Sequence, residues 1–391
     1  AGAAGCTGVA KATSRNSYFL KQKILLKKIM TENNCKMTQY LSVKLKVLSF
    51  ISIILVIYIH TYYTEGESMS SLMAVEGFWG KGICLVAVPL FYVISGYLFF
   101  LKCPNGLHSI WPKMAKRVRT LLVPYMLMNT FAILFYVILN LMVLVSPTLN
   151  SVVNFHILDP ISQQGIVKSL LAFYWTDPTA FQLWFVRDLM VVIIFAPLIY
   201  ILLRYMVKGF LGLILFFVIE AILLTLAIKL SAYFGAAFWF IAGGFIVMHP
   251  EIRITAKNAN LCWVIASLII FVSLCCINIS HPLTCYQWLI PIAGIITLWL
   301  GYDILFQNKP NIFASKPYLV FWCSYTFFVY LVHEPLLNIL KKLPLLVSRS
   351  ECMLLTAYIV IPPLFYYLAS WLGKWLKHEL PHAYSIFTGN R

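Results

Sequence analysis

The sequence predicts an all-α membrane protein, with about ten transmembrane helices in one polytopic bundle and no soluble domain. Of its 391 residues, 61% are hydrophobic and only 11% are charged, whereas soluble domains are about 45–50% apolar and about 25% charged. Disordered chains have the opposite composition, and a soluble enzyme would lack the charges needed to cover its surface. The apolar residues fall in runs of the length that a membrane-spanning helix needs, about 20 residues.

Ten apolar runs are interpreted as the spans. A membrane β-barrel is disfavoured because its strands alternate polar and apolar residues, whereas these runs are apolar throughout. They cover residues 47–63, 83–101, 121–145, 183–203, 209–228, 232–248, 259–279, 286–306, 319–340 and 351–373. The predicted organisation is a basic N-terminal segment (1–44), poorly ordered or on the membrane surface, the ten-helix domain (45–375) and a short tail (376–391).

The basic residues predict the orientation. The chain has 30 Lys and Arg against 13 Asp and Glu, a formal net charge of +17, which in a soluble protein would indicate nucleic-acid binding. Here twenty-three of the basic residues lie in the N-terminal segment, the tail and alternate loops. The positive-inside rule places these regions in the cytoplasm. We therefore expect both termini there, a lipid bilayer as partner, and no nucleic acid.

The ten cysteines indicate neither a disulfide framework nor a zinc site. They form no CxxC pair, and several lie in predicted spans, where Cys packs as a small hydrophobe. Reduced thiols and no structural metal are expected.

Ionisable side chains inside the spans are the candidate functional groups, because burying them in a bilayer is costly. Counting along the helices places three sets in the outer third of the membrane. The sets are His60, Arg187 with Asp188, and His333 with Glu334. A neutral His can act as a general base near pH 7, and Arg can stabilise an oxyanion. Each set alone fits a structural hydrogen bond or ion pair equally well, but their common depth favours one reaction site.

A basic cluster begins the third span, in KMAKRVRTLLVPY (113–125). Lys116, Arg117 and Arg119 lie at its start, where basic side chains and a helix N-terminus favour phosphate. The alternative is charge that serves only to orient the protein in the membrane.

Other polar or small residues in the spans have mainly structural interpretations. Ser95–Gly96 permits close approach of either a neighbouring helix or a ligand. Glu220 and Asp303 are expected to be structural or interfacial.

Several stretches, taken in order, resemble the bacterial acyltransferase family 3 of integral membrane proteins. They are IILVIYIHT (53–61), VPLFYVISGYLFF (88–100), KRVRTLLVPYMLMN (116–129), LWFVRDL (183–189), SYTFFVYLVHEPLL (324–337) and YSIFTGNR (384–391). The resemblance covers roughly residues 45–391, and its specificity lies in the ordered set rather than in any one motif.

The resemblance implies a bacterial inner-membrane O-acyltransferase. Such proteins move an acyl group, usually acetyl, from cytoplasmic acyl-CoA to an acceptor hydroxyl, commonly on a carbohydrate or cell-envelope glycan. Acyl-CoA is then a co-substrate, and no tightly bound cofactor is expected. The resemblance implies catalysis by His60, maps Arg117 and Arg119 onto the CoA phosphates, and assigns Trp184, Arg187, Asp188 and His333 to the family's motifs. From the residues themselves we expect Arg187 and His333 to assist catalysis, Lys116 and Ser95 to contribute to the binding of acyl-CoA, and Trp184, Asp188 and Glu334 to contact the acceptor.

One position departs from the family pattern. Many members carry an arginine eleven residues before the first-span histidine, where this chain has Ser49, with Lys46 one turn earlier. Substitution by Lys46, greater dependence on Arg117 and Arg119, and reduced activity all remain open.

Two other functions fit the same composition. A secondary transporter or flippase would also have about ten spans, small loops and polar residues at midplane. The second is a degenerate family member that only recognises a ligand and catalyses no reaction. The basic cluster and the histidine at a fixed depth favour the enzyme, since chemistry needs them and passive translocation does not.

Overall fold

The computed structural model describes residues 38–64, 70–101, 106–145, 157–205, 210–225, 231–249, 260–281, 285–308 and 316–389. Within these ranges the elements are helical and no strand is present. Residues 1–37 of the predicted N-terminal segment, the last two residues of the tail and the side chain of Glu220 lie outside the described part.

The described helices are numbered α1 to α17 in chain order. They are α1 Gln39–His60, α2 Ser70–Trp79, α3 Ala87–Phe100, α4 Ile110–Val145, α5 Leu158–Gln164, α6 Ile166–Leu171, α7 Trp184–Ile194, α8 Ala196–Tyr205, α9 Phe210–Thr225, α10 Ser231–Met248, α11 Leu261–Ser280, α12 Tyr286–Phe306, α13 Pro317–Ser324, α14 Thr326–Leu340, α15 Leu343–Val347, α16 Glu351–Glu379 and α17 Pro381–Thr388. Short irregular turns at Ile83–Val86, Leu107–Ser109, Ala172–Thr176 and Phe181–Leu183 join some of them.

The lengths of these helices fit a multi-pass membrane protein. In the described part, six helical segments are long and apolar enough to cross a membrane, and two bent pairs raise the number to eight. The predicted number of ten is not confirmed. Within the described residues the runs at 209–228 and 232–248 correspond to the helices α9 and α10, of 16 and 18 residues.

Both bent pairs replace spans that the sequence predicts as continuous. Phe181–Ile194 and Ala196–Arg204 meet at 61°, and Pro317–Ser324 and Thr326–Val347 meet at 59°. In the first pair Pro197 follows the bend. Proline has no N–H to donate to the preceding turn, and its ring crowds the carbonyl four residues earlier.

The centre of the bundle is built on the close packing of α3 against α10. A Cβ on Gly96 would collide with the backbone carbonyl of Phe240, and one on Gly243 would collide with that of Val93. Only glycine lets the two backbones approach this closely. The helix-packing interpretation of Gly96 is therefore supported, and α1 packs on the same helix α3.

Asp303 forms a buried ion pair between α1 and α12. Its Oδ2 lies 2.7 Å from Nζ of Lys44, and Tyr40 donates its hydroxyl to Oδ1 at 2.7 Å. Because buried charges are stable only when paired and hydrogen-bonded, this contact supports the structural role predicted for Asp303.

Candidate active site

Two histidines from distant parts of the chain meet inside the bundle. His60 is the last residue of α1, and its ring centroid lies 5.2 Å from that of His333 in α14. Nδ1 of His60 lies 3.9 Å from Oε1 of Glu334, the distance of an ion pair rather than of a hydrogen bond. We call these three residues the histidine cluster. His333 is fully buried, whereas the side chain of His60 is 18% exposed.

An interruption in α14 presents two members of the cluster. Glu334 has extended backbone angles (φ −107°, ψ 134°) inside the helix, because the proline that follows it disfavours the helical conformation of the residue before it. Pro335 also has no N–H to donate to the carbonyl of Leu331, four residues earlier. The interruption therefore separates Glu334 from the regular helix and leaves a backbone acceptor to be satisfied.

The hydrogen bonds of His333 define what its ring can offer. Nδ1 lies 2.7 Å from the carbonyl oxygen of Tyr330, which can only accept, so Nδ1 carries the proton in the neutral ring. Nε2 is buried and has no hydrogen-bond partner among the described residues. A neutral His333 thus presents an acceptor at Nε2, which suits a hydroxyl group better than an oxyanion.

Gln182 holds the interrupted segment from the opposite side. Its Nε2 donates to the carbonyl oxygens of Leu331 at 2.9 Å and Glu334 at 2.8 Å. Tyr330 in turn donates its hydroxyl to the backbone oxygen of Gln182 at 2.7 Å. Sequence reasoning missed Gln182; the available signal was an amide directly before the LWF motif, in a segment that must be buried.

Two further polar residues of the region were also missed. Lys341 donates from Nζ to the carbonyl oxygen of His60 at 3.0 Å, which satisfies one of the acceptors that a helix leaves free at its C-terminus. Asn338 donates to Oε2 of Glu334.

Arg187 lies in a neighbouring network. Its Nε donates to Oδ1 of Asp188 at 2.9 Å, and one terminal nitrogen donates to the carbonyl oxygens of Trp175 at 2.7 Å and Thr176 at 2.9 Å. Its guanidinium lies 5.7 Å from the ring centroid of Tyr233. In the described part no hydrogen bond joins Arg187 to either histidine of the cluster.

The Arg187 network connects to the histidine cluster through the turn before α7. That turn carries Gln182 and also Phe181, whose ring centroid lies 6.0 Å from that of His60. Trp184 follows the turn and packs on Phe185, with ring centroids 6.5 Å apart. Among the described residues, no hydrogen bond or ring contact joins Trp184 or Asp188 to a residue of the histidine cluster.

A cavity of about 370 Å³ lies next to the cluster. Its polar lining includes Lys46 and Ser49 of α1, Ser95 of α3 and Arg117 of α4. Tyr330 also lines it, and the Tyr330 ring centroid is 5.9 Å from that of His333. The cavity therefore runs between basic side chains and the residue that hydrogen-bonds His333.

The predicted CoA-binding residues separate into two groups. Arg117 and Ser95 line the cavity, whereas Lys116 and Arg119 are exposed on the same helix and are not part of its lining. Two residues near the C-terminus, Tyr384 and Thr388, line the cavity as well.

The C-terminal helix is fixed on α4 by a glycine. Gly389, with φ +63°, ends α17, and a Cβ there would collide with the carbonyl oxygen of Thr120. The left-handed conformation and the close contact both favour glycine, which gives the YSIFTGNR motif a physical explanation.

The described part holds no group of three or more His, Cys, Asp or Glu side chains arranged to bind a metal ion. The seven cysteines within it, Cys84, Cys262, Cys275, Cys276, Cys285, Cys323 and Cys352, are free thiols.

The fold and the site define a multi-pass membrane protein with a histidine–carboxylate cluster beside a cavity that basic side chains line. A family model described as an acyltransferase domain matches residues 43–350. The chain belongs to acyltransferase family 3, and the matched range contains both histidines of the cluster and Arg117. No curated protein and no solved structure gives a significant match.

Proposed function

We propose that the protein is an O-acyltransferase that moves an acyl group, acetyl in the simplest case, from acyl-CoA to a hydroxyl of a carbohydrate or cell-envelope glycan. The observation that carries the proposal is the adjacency of the cavity and the histidine cluster. The lining of the cavity includes Arg117, Lys46 and Tyr330 but none of the three cluster residues, and Tyr330 contacts His333 through its backbone carbonyl and its ring. Family membership supports acyl transfer as the reaction class.

The cavity suits the donor acyl-CoA. Arg117 binds its phosphates, because guanidinium groups form paired hydrogen bonds with phosphate oxygens. Lys46 and the exposed Lys116 and Arg119 add positive charge at the same end. Lys46 lies 14 residues before His60 in α1, which is about 21 Å along a helix. An extended pantetheine arm spans that distance, and Ser95 lies on its way.

The histidine cluster suits the transfer step. His60 accepts the proton of the acceptor hydroxyl while the oxygen attacks the thioester carbonyl. The tetrahedral intermediate collapses, the C–S bond breaks, and the thiolate of CoA leaves and takes up the proton. Glu334 stabilises the positive charge that forms on His60. Nε2 of His333 accepts a hydrogen bond from the acceptor and orients it.

Arg187 and Asp188, with Trp184, belong to the acceptor side of the site in this proposal. Arg187 donates to the carbonyl oxygens of Trp175 and Thr176, which ties the segment before Phe181 to α7, and the Phe181 ring lies beside that of His60. Arg187 therefore contributes to catalysis as the cation that fixes this side of the site and adds positive potential near the developing oxyanion.

The proposed location is the bacterial inner membrane, with both termini and the basic end of the cavity in the cytoplasm. The distribution of Lys and Arg supports this orientation.

Transfer of label from acetyl-CoA to membrane glycans tests the proposal. Membranes containing His60→Ala are expected to lose about 10²–10⁴-fold in rate, the usual contribution of a general base. His281→Ala, at an exposed histidine after α11, is the matched control and should label like the wild type. Equal labelling by a correctly inserted His60→Ala protein would refute the role of His60. A purified protein that binds no acyl-CoA but exchanges substrate across vesicles would instead be a transporter or flippase.

A further inference from the structure

We infer that Gln182 is a positioning residue, which fixes His333 and Glu334 in the geometry that acyl transfer requires. The inference rests on the proposed function. Gln182 precedes α7, while the residues it holds are in α14, about 150 positions later in the chain. No catalytic contact of its own is needed for this role.

The hydrogen bonds of the Gln182 amide are determined by their partners. Both contacts of Nε2 are carbonyl oxygens, Leu331 at 2.9 Å and Glu334 at 2.8 Å. Because carbonyl oxygens can only accept, the NH₂ group must face them. Both N–H groups are thus committed, and the side chain is 2% exposed, so water does not readily replace them.

These two acceptors bracket the functional segment. Residues 331–334 include His333 and end at Glu334, so the amide holds the backbone at both ends of the interruption. The acceptor at Leu331 exists because Pro335 has no N–H for it. The proline leaves the carbonyl oxygen of Leu331 without its helical donor, and the amide of Gln182 donates to it. A buried glutamine at this position therefore has a specific role beyond general packing.

The contact is reciprocal, and the amide of Gln182 lies outside the donor cavity. Tyr330 donates its hydroxyl to the backbone oxygen of Gln182 at 2.7 Å, so α14 and the turn before α7 are tied in both directions. Gln182 itself does not line the cavity. Its loss should therefore move the histidine cluster while leaving the binding of acyl-CoA intact.

The test compares Gln182→Met with the wild type. Methionine keeps the length and volume of the side chain and removes both hydrogen bonds. With kcat expressed per acyl-CoA-binding site, so that unfolded protein does not count, we expect a fall of about 10²-fold, the effect of a misplacement of about 1 Å. KM for acyl-CoA should stay within about twofold, because the substitution removes no contact with the donor and binding of acyl-CoA is the same in both proteins. The matched control is Gln163→Met, at an exposed glutamine of α5.

Three results discriminate the possibilities. An unchanged kcat, or a rise in KM for acyl-CoA in place of a fall in kcat, overturns the inference. If Gln182→Met does not fold, Gln182→Asn is judged by the same criteria, since its amide is one methylene too short to reach both carbonyl oxygens. The wild type in the same assay separates the two claims: a wild type that transfers no acyl group refutes the proposed function, whereas an active wild type beside an unaffected Gln182→Met refutes the inference alone.

Discussion

The cavity and the histidine cluster are adjacent, but they are built in different ways. The cavity residues Lys46, Ser49, Ser95 and Arg117 lie on helical turns of α1, α3 and α4. The histidine cluster depends on the end of one helix and on an interruption in another, with backbone carbonyls bound by Gln182 and Lys341. Charge that attracts phosphate tolerates small displacements, whereas a reacting group must be held within about 0.5 Å.

This difference predicts a division of kinetic effects. Changes in the cavity should weaken the binding of acyl-CoA and appear in KM. Changes in the histidine cluster should remove interactions of the transition state and appear in kcat. Each substitution below can confirm that division or break it.

Of the three substitutions that compare the cluster with the cavity, Glu334→Gln should have the largest effect. It removes the negative charge 3.9 Å from His60 but keeps the shape of the side chain. Close charge pairs shielded from water couple by about 1.5–7 kcal/mol, so kcat should fall at least about tenfold. Steady-state kinetics on purified protein measure it, and KM for acyl-CoA should not change.

Glu379→Gln is the control for this substitution, because Glu379 is an exposed carboxylate at the end of α16. Its kinetics should match those of the wild type. If Glu334→Gln raised KM for acyl-CoA and spared kcat, the cluster and the cavity would not be separate functional regions.

A smaller effect, on KM for acyl-CoA rather than on kcat, is expected at Arg117. Arg117→Ala removes the guanidinium that lines the cavity. One lost phosphate contact of about 1.4 kcal/mol corresponds to a tenfold weaker complex. KM for acyl-CoA should therefore rise about tenfold with little change in kcat, and added salt should reduce the difference between the two proteins.

Lys374→Ala removes an exposed positive charge from α16, outside the cavity, and is the control for Arg117. Arg119→Ala should lie between the two, since Arg119 is exposed on the same helix as Arg117 and does not line the cavity. A fall in kcat for Arg117→Ala at unchanged KM would place Arg117 at the reacting atoms and break the comparison.

The sequence alone predicted the class of fold and the common depth of His60 and His333. Long apolar runs predict helices because only helices and closed barrels satisfy the backbone in a bilayer, and barrel strands would alternate polar and apolar residues. Counting residues from the ends of the spans placed His60 and His333 at one depth, and they are adjacent in the structure. Depth follows from helix rise alone and needs no knowledge of packing.

The depth of a residue does not predict which helices and which helix faces are neighbours. Arg187 was predicted at the same depth, but its contacts are the carbonyls of Trp175 and Thr176, since depth does not say which face of a helix meets which neighbour. Gln182 and Lys341 act on carbonyls freed by a helix interruption and a helix end. A hydropathy pattern does not detect such breaks, because the residues around them are as apolar as those of a straight span.

The smallest expected effect comes from restoring charge to the cavity at Ser49. Ser49 lines the cavity together with Lys46 and Arg117, so an arginine introduced there would add a third cation beside the donor phosphates. A partly exposed ion pair contributes about 0.2–1 kcal/mol, and Ser49→Arg should lower KM for acyl-CoA about two- to fourfold at constant kcat. Ser49→Gln, long but uncharged, controls for the added volume. If both variants lowered kcat, Ser49 would lie too close to the reacting groups for the cavity and the cluster to be independent.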